Sequence, residues 1–341
     1  MIPHYNHSVK LVFLGTPDFA VPSLEKLIQA NDIEVVIVIT QPDKLVGRKQ
    51  ILTAPPIKTL AEKNKIPVFQ PEKINQDSAL LEILAKLKPD FLITVAYGQI
   101  LKQEIMSIAP VINLHASLLP NYRGPAPINW MIIHGDKEIG LTTMLSDAGV
   151  DTGDILLKTI TALDANEDAS KVSERLAIAG ADLLLETLRK FSELHPEEQE
   201  PAEDPSKQLA PFMDRKLGVI DFAAKEIVLG SANPKQSNFK VVMENSAANI
   251  HNLVRALQPW PGANFNYQGQ KISILKTKVV DMDSKKSPGT IVEIKKDTKS
   301  FVVATQQGLL ELITLKPEGK NECDAFSWLN GQRLKIADSL S

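Results

Sequence analysis

At 341 residues, with 43% hydrophobic and 23% charged residues, the chain is too long for one small core and ordinary in composition for a soluble protein of two domains. No apolar run approaches the roughly 20 residues that span a bilayer. The N-terminus lacks a basic segment followed by an apolar one, and the single cysteine, Cys323, can form no internal disulfide, so a cytoplasmic protein without membrane contact is expected. The net charge of −3 divides unevenly, because residues 207–341 hold 19 Lys and Arg against 13 Asp and Glu while the rest is acidic. A basic C-terminal part on an acidic body suggests contact with a polyanion.

The first half alternates β-rich apolar runs with helical patterns. Lys10–Gly15 reads as a buried strand, Phe19–Ala30 as a helix after Thr16-Pro17-Asp18, and Glu34–Gln41 as a second strand. Ala54–Lys63 and Ala79–Leu87 read as helices, Asp90–Ala96 and Val111–His115 as strands, Gly124–His134 as a helix and Gly140–Leu145 as a strand. That order predicts a Rossmann-like α/β domain with a mostly parallel sheet, whose ligands gather at the carboxyl ends of the strands. Lys171–Glu193 is one long amphipathic helix that closes this domain. His195–Lys207, with three prolines and five acids, reads as a linker. The domains are therefore placed at 1–194 and 208–341.

Beyond the linker, Ala247–Leu257 reads as a helix. Short strands follow at Lys271–Val280, Gly289–Ile294, Ser300–Thr305 and Leu309–Lys316, the pattern of a small barrel or sandwich. Gly230–Asn245 has weak periodicity and reads as a surface insertion.

Phe13-Leu14-Gly15-Thr16-Pro17 stands where a dinucleotide fold carries its glycine fingerprint, but holds one glycine. There is no GxGxxG, no phosphate-binding GxxxxGK[ST], no CxxC and no HExxH, so neither a nicotinamide cofactor, a nucleoside triphosphate nor a zinc site is expected. The segment richest in chemistry is Val111–Pro127. Asn113 and His115 stand two apart at the end of a strand, where the period of two puts an amide donor and an imidazole on one face. Read singly, Asn113 is equally a capping residue and His115 a satisfied core histidine. Met144–Ile155 carries three acids and two glycines between apolar strands, and Asp151 is placed to bring a carboxylate to His115.

Asn113-Leu114-His115, Ser117-Leu118-Leu119-Pro120 and Asp151-Thr152-Gly153-Asp154 together resemble the signature of the folate-dependent formyltransferase family. Phe13–Ala20, Thr40–Asp43, Val95–Gly98 and Ala256–Gly262 resemble the branch of that family acting on methionyl-tRNA, and the resemblance runs from about Lys10 to about Lys335. It implies an OB-like C-terminal β-barrel, 10-formyltetrahydrofolate as co-substrate and initiator methionyl-tRNA as acceptor. It further implies catalytic roles for Asn113, His115 and Asp151, a folate pocket walled by Ser117, Leu118, Leu119 and Pro120, and direct transfer through a tetrahedral intermediate without a metal. The basic run Gln41–Lys58 is expected to meet tRNA phosphates through Lys44, Arg48 and Lys49. Lys271, Lys276, Lys278, Lys295, Lys296 and Lys299 are candidates to extend that surface. A monomer serving bacterial or organellar type translation is expected. The rival reading is a formyltransferase or hydrolase acting on a small-molecule amine.

Overall fold

Runs of Val, Ile, Leu and Phe with no polar face make strands that are buried on both sides, and the sheet at the centre of the first unit is built from them. The computed structural model describes residues 8–47, 49–230, 239–280 and 285–340. In chain order, β1 (Val9–Gly15) leads through a short 3-10 turn into α1 (Val21–Gln29), followed by β2 (Ile33–Ile39). A hairpin of β3 (Lys44–Val46) and β4 (Ile51–Thr53) comes next, then α2 (Pro56–Lys63) and β5 (Val68–Phe69). After α3 (Ser78–Leu87) come β6 (Phe91–Val95), α4 (Gln103–Met106) and β7 (Val111–His115). They lead to α5 (Pro127–His134), β8 (Glu138–Leu145), β9 (Ile155–Ala162) and α6 (Ala169–Lys190).

The seven-stranded sheet has the order β5-β2-β1-β6-β7-β8-β9. Its first five strands are parallel, and β8 and β9 complete it antiparallel. The strand order reverses between β1 and β6, the switch point that opens a crevice in such sheets. Val12, Leu14, Ile39 and Leu92 pack with Leu80 and Leu84 of α3 as one apolar layer. Asp77 caps α3 by accepting from the Leu80 amide at 3.0 Å.

The remaining elements are β10 (Glu226–Gly230), β11 (Lys240–Glu244), α7 (Ala247–Ala256), β12 (Ala263–Tyr267) and β13 (Gln270–Val280). They end with β14 (Ile291–Lys295), β15 (Ser300–Ala304), β16 (Leu309–Pro317), β17 (Cys323–Asp324) and α8 (Ala325–Gly331). A wholly antiparallel sheet runs β12-β13-β16-β15-β14, with β17 added to β16. Trp328 lies edge-on to Phe265 and Tyr267 and stacks on Phe301, which closes the apolar face of this sheet. Cys323 pairs with Leu315 in the ladder, and burial pushes its thiol up, away from the thiolate.

By their internal contacts, residues 1–125, 138–162 and 173–209 form one unit and residues 126–137, 163–172 and 210–341 the other. The second unit therefore takes α5, which the sequence groups with the first half. Inside that unit α5 packs along α7, with Asn129 donating to the Ala256 carbonyl at 2.7 Å and the Trp130 indole donating to the Pro211 carbonyl at 2.9 Å. The stretch read as an insertion is in part regular. Lys240–Glu244 pairs residue for residue with Glu226–Gly230, and positions 231–238 lie outside the described residues.

Candidate active site

β7 ends where the parallel part of the sheet meets the antiparallel part, and its two polar residues face the same side. Asn113 sits beside Thr94 of β6, whose hydroxyl donates to Asn113 Oδ1 at 2.9 Å. That bond decides which way the amide points, because Oδ1 must face the hydroxyl and the two N–H donors of Nδ2 must face outward. One of them approaches Asp151 Oδ1 at 3.3 Å. His115 is nearly enclosed. Its Nε2 lies 3.0 Å from the Tyr122 carbonyl, which can only accept, so Nε2 carries the proton in the neutral ring. Nδ1 then holds the free lone pair, and it lies 3.6 Å from Asp151 Oδ2. A carboxylate there balances the charge that the ring gains on taking a proton.

Asp151 is gripped from several sides. Its Oδ2 accepts from the Gly124 amide at 2.9 Å, its Oδ1 faces Asn113, and its backbone is left-handed, with φ 55°. An aspartate adopts that conformation only at some cost, so its surroundings must hold it. Two residues on, Gly153 packs so closely that an added Cβ would lie 1.7 Å from the Leu145 carbonyl oxygen. No other residue type leaves the loop where it is.

The chain after β7 turns back under the site. The Ser117 hydroxyl donates to the Asn121 carbonyl at 2.6 Å, and the Thr142 hydroxyl donates to the Ser117 carbonyl while accepting from the Leu119 amide. Ser117 and Leu119 are fully enclosed, and Leu118 and Pro120 keep partial exposure. Of the four residues that the sequence offers as a pocket wall, these last two have surface to present. The Ser117 hydroxyl is committed to the backbone, which leaves it no base to activate it.

The basic run after β2 is a hairpin rather than an open loop. Lys44 pairs with Thr53, Leu45 with Leu52 and Val46 with Ile51, and Gly47 takes the positive φ that the turn requires. Leu45, Val46, Ile51 and Leu52 are each more than half exposed, and Lys44 and Lys49 are exposed with them. Arg48 lies outside the described residues. Lys58 does not join this group, because it pairs with Asp43 at 2.9 Å, and Gln70 donates to the same carboxylate at 2.7 Å. These contacts hold the Asp43 carboxyl below the usual carboxylate range, the Gln70 hydrogen bond most of all. In the second unit, Lys271, Lys276, Lys278, Lys296 and Lys299 are exposed, whereas Lys295 is bound to Glu311 at 3.0 Å.

Sequence reasoning does not find Thr94, Tyr122, Gly124 or Gln199 as parts of the site. Thr94 is a polar residue inside the apolar run Phe91–Val95, which is a signal once the neighbouring strand is known. Tyr122 and Gly124 contribute backbone atoms, which leave no mark in a sequence.

An amide and an imidazole at the end of a parallel strand, bridged by a carboxylate on a loop, form an arrangement in an α/β fold that can offer an N–H donor and accept a proton side by side. A family model described as formyl transferase matches residues 9–188, and one described as formyl transferase, C-terminal domain, matches residues 234–333. The chain belongs to the formyl transferase family. It is similar to the methionyl-tRNA formyltransferase of Sulfurimonas denitrificans, 38% identical over 98% of this chain and 100% of that one. That of Acetivibrio thermocellus is 41% identical over 96% of this chain and 97% of its own length. The N-formyltransferase of Helicobacter canadensis, solved with folinic acid and dTDP-3-aminofucose, has a TM-score of 0.61 over 89% of this chain and 98% of that chain. It is 18% identical, a likeness of fold.

Proposed function

We propose that the protein transfers the formyl group of 10-formyltetrahydrofolate to the α-amino group of methionyl-initiator tRNA, giving N-formylmethionyl-tRNA for translation initiation. The observation that carries this reading is the joint placement of Asn113 Nδ2 and His115 Nδ1 about one carboxylate at the end of β7. Attack of the amine on the formyl carbon forms a C–N bond and pushes negative charge onto the formyl oxygen. Asn113 donates its free N–H to that oxygen, a contribution typically worth about 100- to 1000-fold in rate. His115 Nδ1 takes the proton that the amine sheds. It returns that proton to the folate nitrogen as the original C–N bond breaks, typically worth about 100- to 10,000-fold. Asp151 holds the ring and balances its charge. Leu118 and Pro120 offer an apolar flank for the flat pterin. No side-chain nucleophile and no metal enters this sequence of steps.

The acceptor is held by its phosphates. Lys44 and Lys49 stand on the exposed hairpin of the catalytic part, 1–194, and Arg48 joins them on sequence grounds. Lys271, Lys276 and Lys278, exposed on β13 of the C-terminal part, 208–341, offer a second phosphate surface. Residues 195–207 connect the two. The protein acts in the cytoplasm, as a monomer. The test is to mix it with 10-formyltetrahydrofolate and charged initiator methionyl-tRNA and to look for formylmethionyl-tRNA on an acid gel. Formylation of the tRNA supports the reading. Formylation of a small amine in its place, or consumption of the folate without acceptor, overturns the acceptor.

A further inference from the structure

Resting on that reading of Asp151, we propose that Gln199 is the positioning residue that holds the Asp151 loop in its working conformation. Gln199 lies in the proline- and acid-rich stretch that the sequence presents as a connector. In the structure this stretch is part of the first unit. Glu197 and Ile155 exchange backbone hydrogen bonds of 2.8 and 2.9 Å, a single antiparallel bridge that ties the stretch to the start of β9. Glu197, Glu198 and Glu200 point to solvent, and Gln199 alone among the four is turned partly inward.

Its carboxamide makes two hydrogen bonds to the loop and one to Arg123. Nε2 donates to the Asp151 carbonyl at 3.1 Å and to the Gly153 carbonyl at 2.6 Å, which uses both of its hydrogens. Oε1 accepts from Arg123 Nε at 3.0 Å. Arg123 immediately precedes Gly124, whose amide binds the Asp151 carboxylate. One segment therefore holds the Asp151 side chain directly and its backbone through Gln199. The two carbonyls that Gln199 grips follow directly on the left-handed residue Asp151, a backbone conformation that its surroundings must hold. Only a donor serves here. A glutamate of the same shape would set a charged oxygen against two carbonyl oxygens, in a place already holding the Asp151 carboxylate.

The experiment is a double-mutant cycle in the full-length protein, with kcat and both KM values measured for Gln199→Met, Gln199→Glu and Asp151→Asn, and for Gln199→Met in the Asp151→Asn background. Methionine matches glutamine in length and removes the donors without opening a void. The expected result for Gln199→Met is a fall in kcat of about 10- to 100-fold with each KM within about twofold, as for a misplaced catalytic group. Gln199→Glu falls at least as far. In the Asp151→Asn background the further loss from Gln199→Met shrinks to about twofold or less, because the residue acts through the carboxylate. Thermal melts show whether each variant is folded under assay conditions. An unchanged kcat in folded Gln199→Met, a loss confined to KM, or a full multiplicative loss in the Asp151→Asn background overturns the positioning role. If Asp151→Asn alone leaves kcat intact, the underlying reading of the site fails and the positioning role falls with it.

Discussion

His115 at the end of β7 and His251 in α7 sit in different units and share half of their surroundings. Both are nearly enclosed, and both set Nε2 3.0 Å from a backbone carbonyl, Tyr122 in one case and Ala165 in the other. They differ at Nδ1. In His115 it faces the Asp151 carboxylate at 3.6 Å, and in His251 it accepts from the Thr277 hydroxyl at 2.8 Å. In the neutral ring both nitrogens of His251 are hydrogen-bonded. Burial pushes its pKa down, with the nearby Arg255 charge adding to the effect and the Ala165 bond opposing it. Burial and a satisfied nitrogen thus make a structural histidine. A second nitrogen left open beside a carboxylate makes one that can carry a proton.

The largest effect that tests this contrast is at His115. His115→Ala is expected to lower kcat for formyl transfer by about 100- to 10,000-fold, and Asn113→Ala by about 100- to 1000-fold, while tRNA binding by filter retention holds. His251→Ala should cost stability and leave kcat in the folded enzyme unchanged, and a comparable drop in kcat there would break the distinction. Next in size is Thr94→Val, which keeps the shape of the side chain and frees the Asn113 amide to turn. Removing one orienting hydrogen bond should lower single-turnover rates by about tenfold, with KM for folate steady.

A smaller effect belongs to the hairpin, where side chains stand open instead of being held. Lys44→Ala with Lys49→Ala should raise KM for tRNA several-fold, with kcat little changed. The slope of log affinity against log salt should fall by roughly 0.7 to 0.9 for each phosphate that is no longer neutralised. A drop in kcat alone would show that the hairpin serves chemistry rather than binding. The smallest effect is the pH response of His251. Its folded pKa lies below the ordinary 6.5, so the unfolded chain binds the proton more readily. The stability it supports is complete above about pH 6.5 and is lost as pH falls through the folded value. His251→Gln should flatten the fall in melting temperature on the acid side of 6.5, and an unchanged slope would assign that fall to other groups.

Much of this is legible in the residue order. A strand repeat of two places Asn113 and His115 on one face whatever else surrounds them. The apolar, β-branched runs within β1, β2 and β6 read as largely buried strands. The β3–β4 hairpin carries a local signal too, since Lys44-Leu45-Val46 and Ile51-Leu52-Thr53 are β-formers flanking Gly47. The net positive charge and the prolines of the run mask that signal and suggest an open loop. Lys240–Glu244 is hidden for a different reason. Its partner strand is ten residues earlier, and neither five-residue strand is distinctive alone.

By itself, the sequence determined the α/β class of the first half and the antiparallel strands of the second, and it offered Asn113, His115 and Asp151 as candidates for the chemistry, because these depend on local periodicity and on residue type. Only the tertiary structure decided that Thr94 orients the Asn113 amide and that α5 packs on α7. It also decided that Lys58 is spent on Asp43, and that Gln199 of an acid-rich connector grips the Asp151 loop from 48 residues away. Those relations join residues far apart in the chain through backbone carbonyls and single side-chain donors. A hydrogen bond depends on where two atoms lie in space, and such contacts leave no periodic pattern in the order of residues.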